Sequence, residues 1–177
     1  MSIFKIETER LILRDYALDD WERLHVYASD PEFSQYESWG PNSVEDTKKF
    51  IGDMILQASG SPRHKYDLAV CLKDSGLFIG GCGIRIEAEV SAVANLGWAI
   101  TPACQGKGYA TECAKGIIQF GFNQLKLKVI YATCDSRNTA SIRVMEKAGM
   151  KRVGLIKGER VQKGHLRDTY RYEITRG

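Results

Sequence analysis

Apolar residues recur along this chain with two periods, and their alternation predicts strands interleaved with helices. Thr8-Glu-Arg-Leu-Ile-Leu-Arg14 reads as a first strand. From Leu18 to Ala28 the apolar residues Leu18, Trp21, Leu24 and Tyr27 share one helical stripe, and Asp19 and Asp20 suit the positive end of a helix dipole. A second helix is predicted over about Val44 to Ala58, after the turn Trp39-Gly-Pro-Asn42, with Asn42 and Glu45 or Ser43 and Asp46 as its capping pair. Strands follow at Tyr66 to Leu72, Leu77 to Ile86 and Ser91 to Ile100. Gly80, Gly81 and Gly83 weaken the middle one but permit a bulge or a close backbone approach.

Beyond Ile100 the period returns to helical from about Gly108 to Asn123, then changes to a strand from Lys128 to Cys134. A helix from about Asn138 to Ala148 stops at Gly149, the residue type favoured just past a helix end. Two last strands, Lys151 to Lys157 and Leu166 to Thr175, are expected to flank a loop from Gly158 to Gly164. The order predicts a mixed α/β fold with a central sheet.

Composition narrows the class without naming a function. The 177 residues suit one domain spanning the whole chain, with 44% hydrophobic and 27% charged residues, a balance that excludes a disordered or fibrous chain. No apolar run reaches the length of a spanning helix, and the amino end lacks a secretory apolar stretch, so a cytoplasmic protein with no membrane partner is expected. Five cysteines (Cys71, Cys82, Cys104, Cys113, Cys134) and three histidines (His25, His64, His165) form no ligand spacing, so no metal is expected. The net charge of +3 is unevenly placed: residues 151–177 hold eight Lys or Arg against three Asp or Glu, leaving −2 for the rest. A basic tail of this kind reads as a solvated strand face, with nucleic-acid association as the alternative.

The chemistry concentrates in Trp98-Ala-Ile-Thr-Pro-Ala-Cys-Gln-Gly-Lys-Gly-Tyr-Ala-Thr-Glu112, where a strand meets a helix through glycines. Successive main-chain N–H groups in such a turn face one concavity, and the helix N-terminus adds positive potential, a setting that holds phosphate. A Walker loop is excluded, because Thr101 stands where its first glycine would be and Gly108 where its Ser or Thr would be. A dinucleotide fingerprint is excluded as well, since Gly106-Lys-Gly-Tyr-Ala-Thr111 has no third glycine.

Gln105-Gly-Lys-Gly108-Tyr-Ala110 does resemble the pyrophosphate loop of the GNAT acyltransferase superfamily. Asn95-Leu-Gly-Trp-Ala-Ile100 is similar to that family's strand beside the acyl thioester, and Asn138-Thr-Ala-Ser141 through Glu146-Lys-Ala-Gly-Met150 to its later helix. Glu9 to Asp15 and Trp39 to Asn42 resemble the branch containing ribosomal-protein-alanine N-acetyltransferases. The resemblance implies acetyl transfer from acetyl-coenzyme A to a primary amine, in a mostly antiparallel sheet that splays between two parallel strands and carries about four helices. It implies main-chain contacts to pantetheine from Trp98, Ala99 and Ile100. It further implies a pyrophosphate cradle of Gln105, Gly106, Lys107, Gly108, Tyr109, Ala110 and Thr111, and a pantetheine bond from Asn138, which can equally be a helix cap. Relatives of this kind occur as monomers or dimers, so a monomer–dimer equilibrium is the expected assembly.

Two family positions differ here. Where many members place a tyrosine acid, this chain has Met145, which cannot donate a proton. Ser141 matches the serine that the ribosomal-protein branch uses at the departing sulfur, with an ordinary first-turn helix residue as the alternative. Where the branch often has a glutamate base, this chain has Asn95. Glu37 is a candidate carboxylate on the acceptor side, Glu112 reads as a dipole residue, and the base stays unassigned. Cys104 has no histidine near it in sequence, and direct transfer needs no cysteine nucleophile. A coenzyme-binding module without catalysis is the competing reading.

Overall fold

The computed structural model describes residues 4–87 and 92–177. Its strands are β1 (Lys5–Glu7), β2 (Leu11–Arg14), β3 (Lys65–Leu72), β4 (Phe78–Ile86), β5 (Val93–Ile100), β6 (Val129–Asp135), β7 (Lys151–Gln162) and β8 (His165–Thr175). Its helices are α1 (Asp20–Ala28), α2 (Val44–Ala58), α3 (Tyr109–Asn123) and α4 (Thr139–Lys147). The predicted strand start at Ser91 lies outside the described residues. The strands form one sheet in the order β1-β2-β3-β4-β5-β6-β8-β7, in which only β5 and β6 are parallel neighbours.

Alternation within the strands divides the core in two. Leu68 and Val70 of β3 join Leu13, Ile79 and Ile84 under α3, whose Cys113, Ile117 and Phe120 face them. Ala69 and Cys71 point the other way, toward Leu24 and Tyr27 of α1 and Ile51 and Met54 of α2. The glycines of β4 permit close approach on this second face. A Cβ on Gly80 would stand 2.1 Å from the Ala99 carbonyl oxygen, and one on Gly81 would stand 2.4 Å from the Tyr16 hydroxyl. The register against β3 shifts beside Gly80, a bulge of the kind the glycines suggested. Gly81→Ala should therefore lower stability by about 1–3 kcal/mol through displacement of Tyr16, measurable by urea denaturation.

Four local expectations change. The first predicted strand is a hairpin: the Thr8 N–H donates to the Leu11 carbonyl, and its hydroxyl to Glu112, turning the chain between β1 and β2. Helix α1 starts at Asp20, leaving Leu18 ahead of it and 75% exposed. The Asp20 carboxylate is buried and holds both guanidinium nitrogens of Arg14, a tertiary pairing that a dipole argument cannot foresee. The loop predicted over 158–164 is mostly strand. β7 regains register at Arg160 opposite Arg167, and Lys163 and Gly164, both left-handed, make the turn. Between the two first helices a short 3₁₀ turn, Phe33–Tyr36, was not anticipated. At α2 the capping box is the Ser43–Asp46 pair.

Candidate active site

The parallel ladder between β5 and β6 ends early. Its pairs are Val93 with Val129, Ala94 with Ile130 and Asn95 with Tyr131, although the strands continue to Ile100 and Asp135. On its other side β5 stays paired with β4 up to Ile100, and β6 stays paired with β8 up to Asp135. The two strands therefore diverge in the middle of an otherwise continuous sheet. Thr101 donates to Ile79 and Glu87 donates toward Val93 on the β4 side, so strand alternation turns the main chain of Trp98 and Ile100 toward the gap. Main-chain groups left unpaired there must find another partner.

A cleft of about 390 Å³ opens at this gap. Trp98, Ala99, Asn138 and Ser141 line it, with Asn95 and Glu37. Ile100 is buried, and its carbonyl accepts a hydrogen bond at 2.9 Å from the Gln105 side-chain amide. Gln105 to Thr111 lie outside the lining of this cleft, past the end of β5, and Gln105 to Gly108 are exposed. Gly106 and Gly108 are left-handed, with φ of 75° and 84°, and nothing lies within 4 Å of where a Cβ on Gly106 would be. Among the described residues no side chain caps the start of α3, which leaves its first N–H groups to an anion. The open turn and the uncapped helix fit a pyrophosphate.

The loop is braced from behind by a residue the sequence reading passed over. Arg10 donates to the Lys107 carbonyl, pairs with Glu112 at 2.7 Å and stacks on the Tyr109 ring. Burial disfavours the Glu112 charge, but hydrogen bonds from Thr8 and Arg10 outweigh it and hold the carboxyl below its ordinary value. Glu112 thus ties the amino-terminal hairpin to α3, well beyond a dipole role. Arg10 and Glu112 are 102 positions apart, and no local pattern connects them.

On α4, the Asn138 side-chain oxygen accepts the Ser141 N–H at 3.0 Å, the cap that sequence allowed. Its amide nitrogen makes no hydrogen bond among the described residues, so a cap and a ligand contact are compatible. The Ser141 hydroxyl likewise has no protein partner among them and lines the cleft. Met145, one turn further on, is fully buried in the core, where it takes part in packing alone. Cys104 packs against the core, and burial pushes the Cys134 thiol of the cleft wall up to about 11, away from thiolate chemistry.

Glu37 gains most from the fold. It follows the 3₁₀ turn on a segment anchored by Lys163, which donates from the β7–β8 turn to the carbonyls of Ser34 and Trp39. Burial raises its carboxyl above the ordinary value, with Arg167 and Lys163 pulling the other way. Asn95 sits at the register position opposite Arg85, which is ion-paired with Asp67 at 2.7 Å. The cleft thus offers a carboxylate and a hydroxyl in its lining, beside the diverging strands.

Residues 10–151 match the family model for the acetyltransferase (GNAT) domain. The chain belongs to the GNAT acetyltransferase family. It is an acyltransferase by that membership. An uncharacterized N-acetyltransferase of Bacillus subtilis, YnaD, is 34% identical over 170 residues, covering 96% of this chain and 95% of that protein. The crystal structure of a GNAT-family acetyltransferase from Bacillus anthracis is similar with a TM-score of 0.86 and 32% identity, over 97% of this chain and 98% of that one. The ribosomal-protein alpha-N-acetyltransferase RimL, in complex with coenzyme A, shares the fold with a TM-score of 0.86 at 17% identity, over 97% of this chain and 98% of its own. The GNAT fold read from the sequence, with its splayed parallel pair, is thereby established.

Proposed function

We propose that the protein transfers an acetyl group from acetyl-coenzyme A to a primary amine of a protein N-terminus or small molecule, by direct attack in a ternary complex. The observation that carries this is the early end of the β5–β6 ladder at Asn95 and Tyr131, which frees main chain at the cleft. The pantetheine arm enters that gap along Trp98, Ala99 and Ile100, with the Asn138 amide as a further partner. The pyrophosphate rests on the turn from Gln105 to Thr111. RimL's complex with coenzyme A supports the assignment through the shared fold.

Glu37 takes a proton from the bound ammonium, directly or through water, and passes it to solvent. The neutral nitrogen attacks the thioester carbonyl, and main-chain N–H groups of the gap stabilise the oxyanion. Collapse of the intermediate breaks the carbon–sulfur bond; the Ser141 hydroxyl hydrogen-bonds the leaving thiolate and relays to it the second proton that the attacking nitrogen releases. Asn95 and Met145 motivate the competing reading, coenzyme binding without catalysis. Glu37 speaks against it, because a half-buried carboxylate on the cleft, with a raised pKa and no hydrogen-bonded partner among the described residues, is suited to proton transfer.

Acetyl-coenzyme A at a hundredfold excess over its dissociation constant should stabilise the fold by roughly 2.7 kcal/mol, read as a higher melting temperature. Gly108→Val should abolish that shift, since the residue needs a φ of 84° at the helix entrance. An undiminished shift in the variant puts the coenzyme elsewhere. Thiol release from acetyl-coenzyme A over a panel of amines separates transfer from mere binding. Sedimentation at several concentrations tests the monomer–dimer equilibrium.

A further inference from the structure

One side chain of the cleft is left in a costly state by the transfer scheme. Arg167 on β8 is only 5% exposed and lines the cleft, yet its buried Nε has no hydrogen-bond partner among the described residues. Among the described residues its one side-chain hydrogen bond runs from Nη1 to the Gln162 amide oxygen at 2.8 Å. Directly across the hairpin stands Arg160, also on the cleft, and it too donates to the Gln162 oxygen. Like charges at directly opposed positions of a strand pair repel. Neither arginine forms an ion pair among the described residues.

The neighbouring acids Asp135 and Glu37 feel the charge of Arg167 without forming an ion pair with it among the described residues. Asp135 is committed to Arg137, which grips both of its carboxylate oxygens. Glu37 faces Arg167 without reaching it, and Lys163 adds a further cation nearby. A buried guanidinium with no ion-pair partner among the described residues and an unsatisfied Nε is a burden on the fold. Two convergent guanidinium groups make a fork suited to a planar oxyanion.

We infer that the acceptor carries a carboxylate close to its amine: Arg167 and Arg160 hold the carboxylate, while Glu37 receives the ammonium. The acceptor class is therefore the α-amino acids and compounds built like them. This rests on the acetyltransferase reading above and narrows its acceptor.

The experiment measures kcat/KM for acetylation of the common α-amino acids and of the matching carboxamides, with acetyl-coenzyme A saturating. For the best acceptor, the carboxylate form should exceed its carboxamide by roughly 10- to 100-fold, the strength of a charge-assisted hydrogen bond. Arg167→Gln should collapse that ratio toward one, chiefly through KM for the carboxylate form. Without ligand it should melt at or above the wild-type temperature, because a buried charge with an unsatisfied Nε is gone. If that variant does not fold, the exposed Arg160→Gln decides, with a smaller but clear fall in the same ratio. Equal or better use of the carboxamide by wild type overturns the inference, as does a ratio unchanged in both variants. Acetylation confined to polyamines or peptides also overturns it and leaves the transferase intact. If no amine releases thiol although acetyl-coenzyme A raises the melting temperature, the transferase reading falls as well.

Discussion

Glu37→Gln should lower kcat/KM by roughly 100- to 10,000-fold, the usual contribution of a positioned acid–base group. The amide preserves shape and hydrogen bonding, so the loss reports the proton. The pH profile carries the sharper test. Burial raises the Glu37 carboxyl above its ordinary value, and only its ionised form accepts a proton. Wild-type kcat/KM should therefore fall as pH drops through that raised pKa, at higher pH than an ordinary exposed carboxylate would give. In the variant that acid limb should vanish, leaving a low rate that depends on the free amine alone. A limb that persists in Glu37→Gln would assign the titration to another group, and an undiminished rate would leave deprotonation to water.

Ser141→Ala should lower kcat by roughly 10- to 1,000-fold, the range between a modest hydrogen bond and an effective acid. The hydroxyl lines the cleft without a protein partner among the described residues, and its benefit arises only as the carbon–sulfur bond breaks. The cost therefore belongs to kcat, and the melting-temperature shift with acetyl-coenzyme A should stay near wild type. Asn138→Ala should reverse the pattern, weakening coenzyme binding more than turnover. It also removes the bond to the Ser141 N–H, so about 1 kcal/mol of stability should be lost with it. Full kcat in Ser141→Ala would make the serine a helix residue and leave protonation of the thiolate to solvent.

The two variants probe different elements lining one cleft, and these differ in how far sequence disclosed them. Asn138, Ser141 and the glycines of the 105–111 turn announce themselves, because a cap, a helix start and a left-handed turn are written in neighbouring residues. Glu37 was visible as a candidate, yet nothing local raises its carboxyl. Burial raises it, on a segment that Lys163, 124 residues from Trp39, holds against the β7–β8 turn, while the Lys163 charge itself pulls the carboxyl the other way. Arg10 behind the pyrophosphate turn and Arg167 in the cleft were not singled out. The role of each depends on partners from distant strands and helices.

By itself the sequence determined most of the order of strands and helices, the two candidate caps of α2, the stop at Gly149 and the family. These depend on periodicity, dihedral preference and short motifs, all expressed within a few turns of chain. It read the first strand as continuous and residues 158–164 as a loop, because hairpin register is settled by pairing across strands and not by the glycines nearby. Only the tertiary structure decided where the β5–β6 ladder ends, which cleft carboxylate has its pKa raised, and which buried arginine keeps an unsatisfied Nε. Those properties belong to the space between elements, where desolvation and unpaired hydrogen-bonding groups set the chemistry.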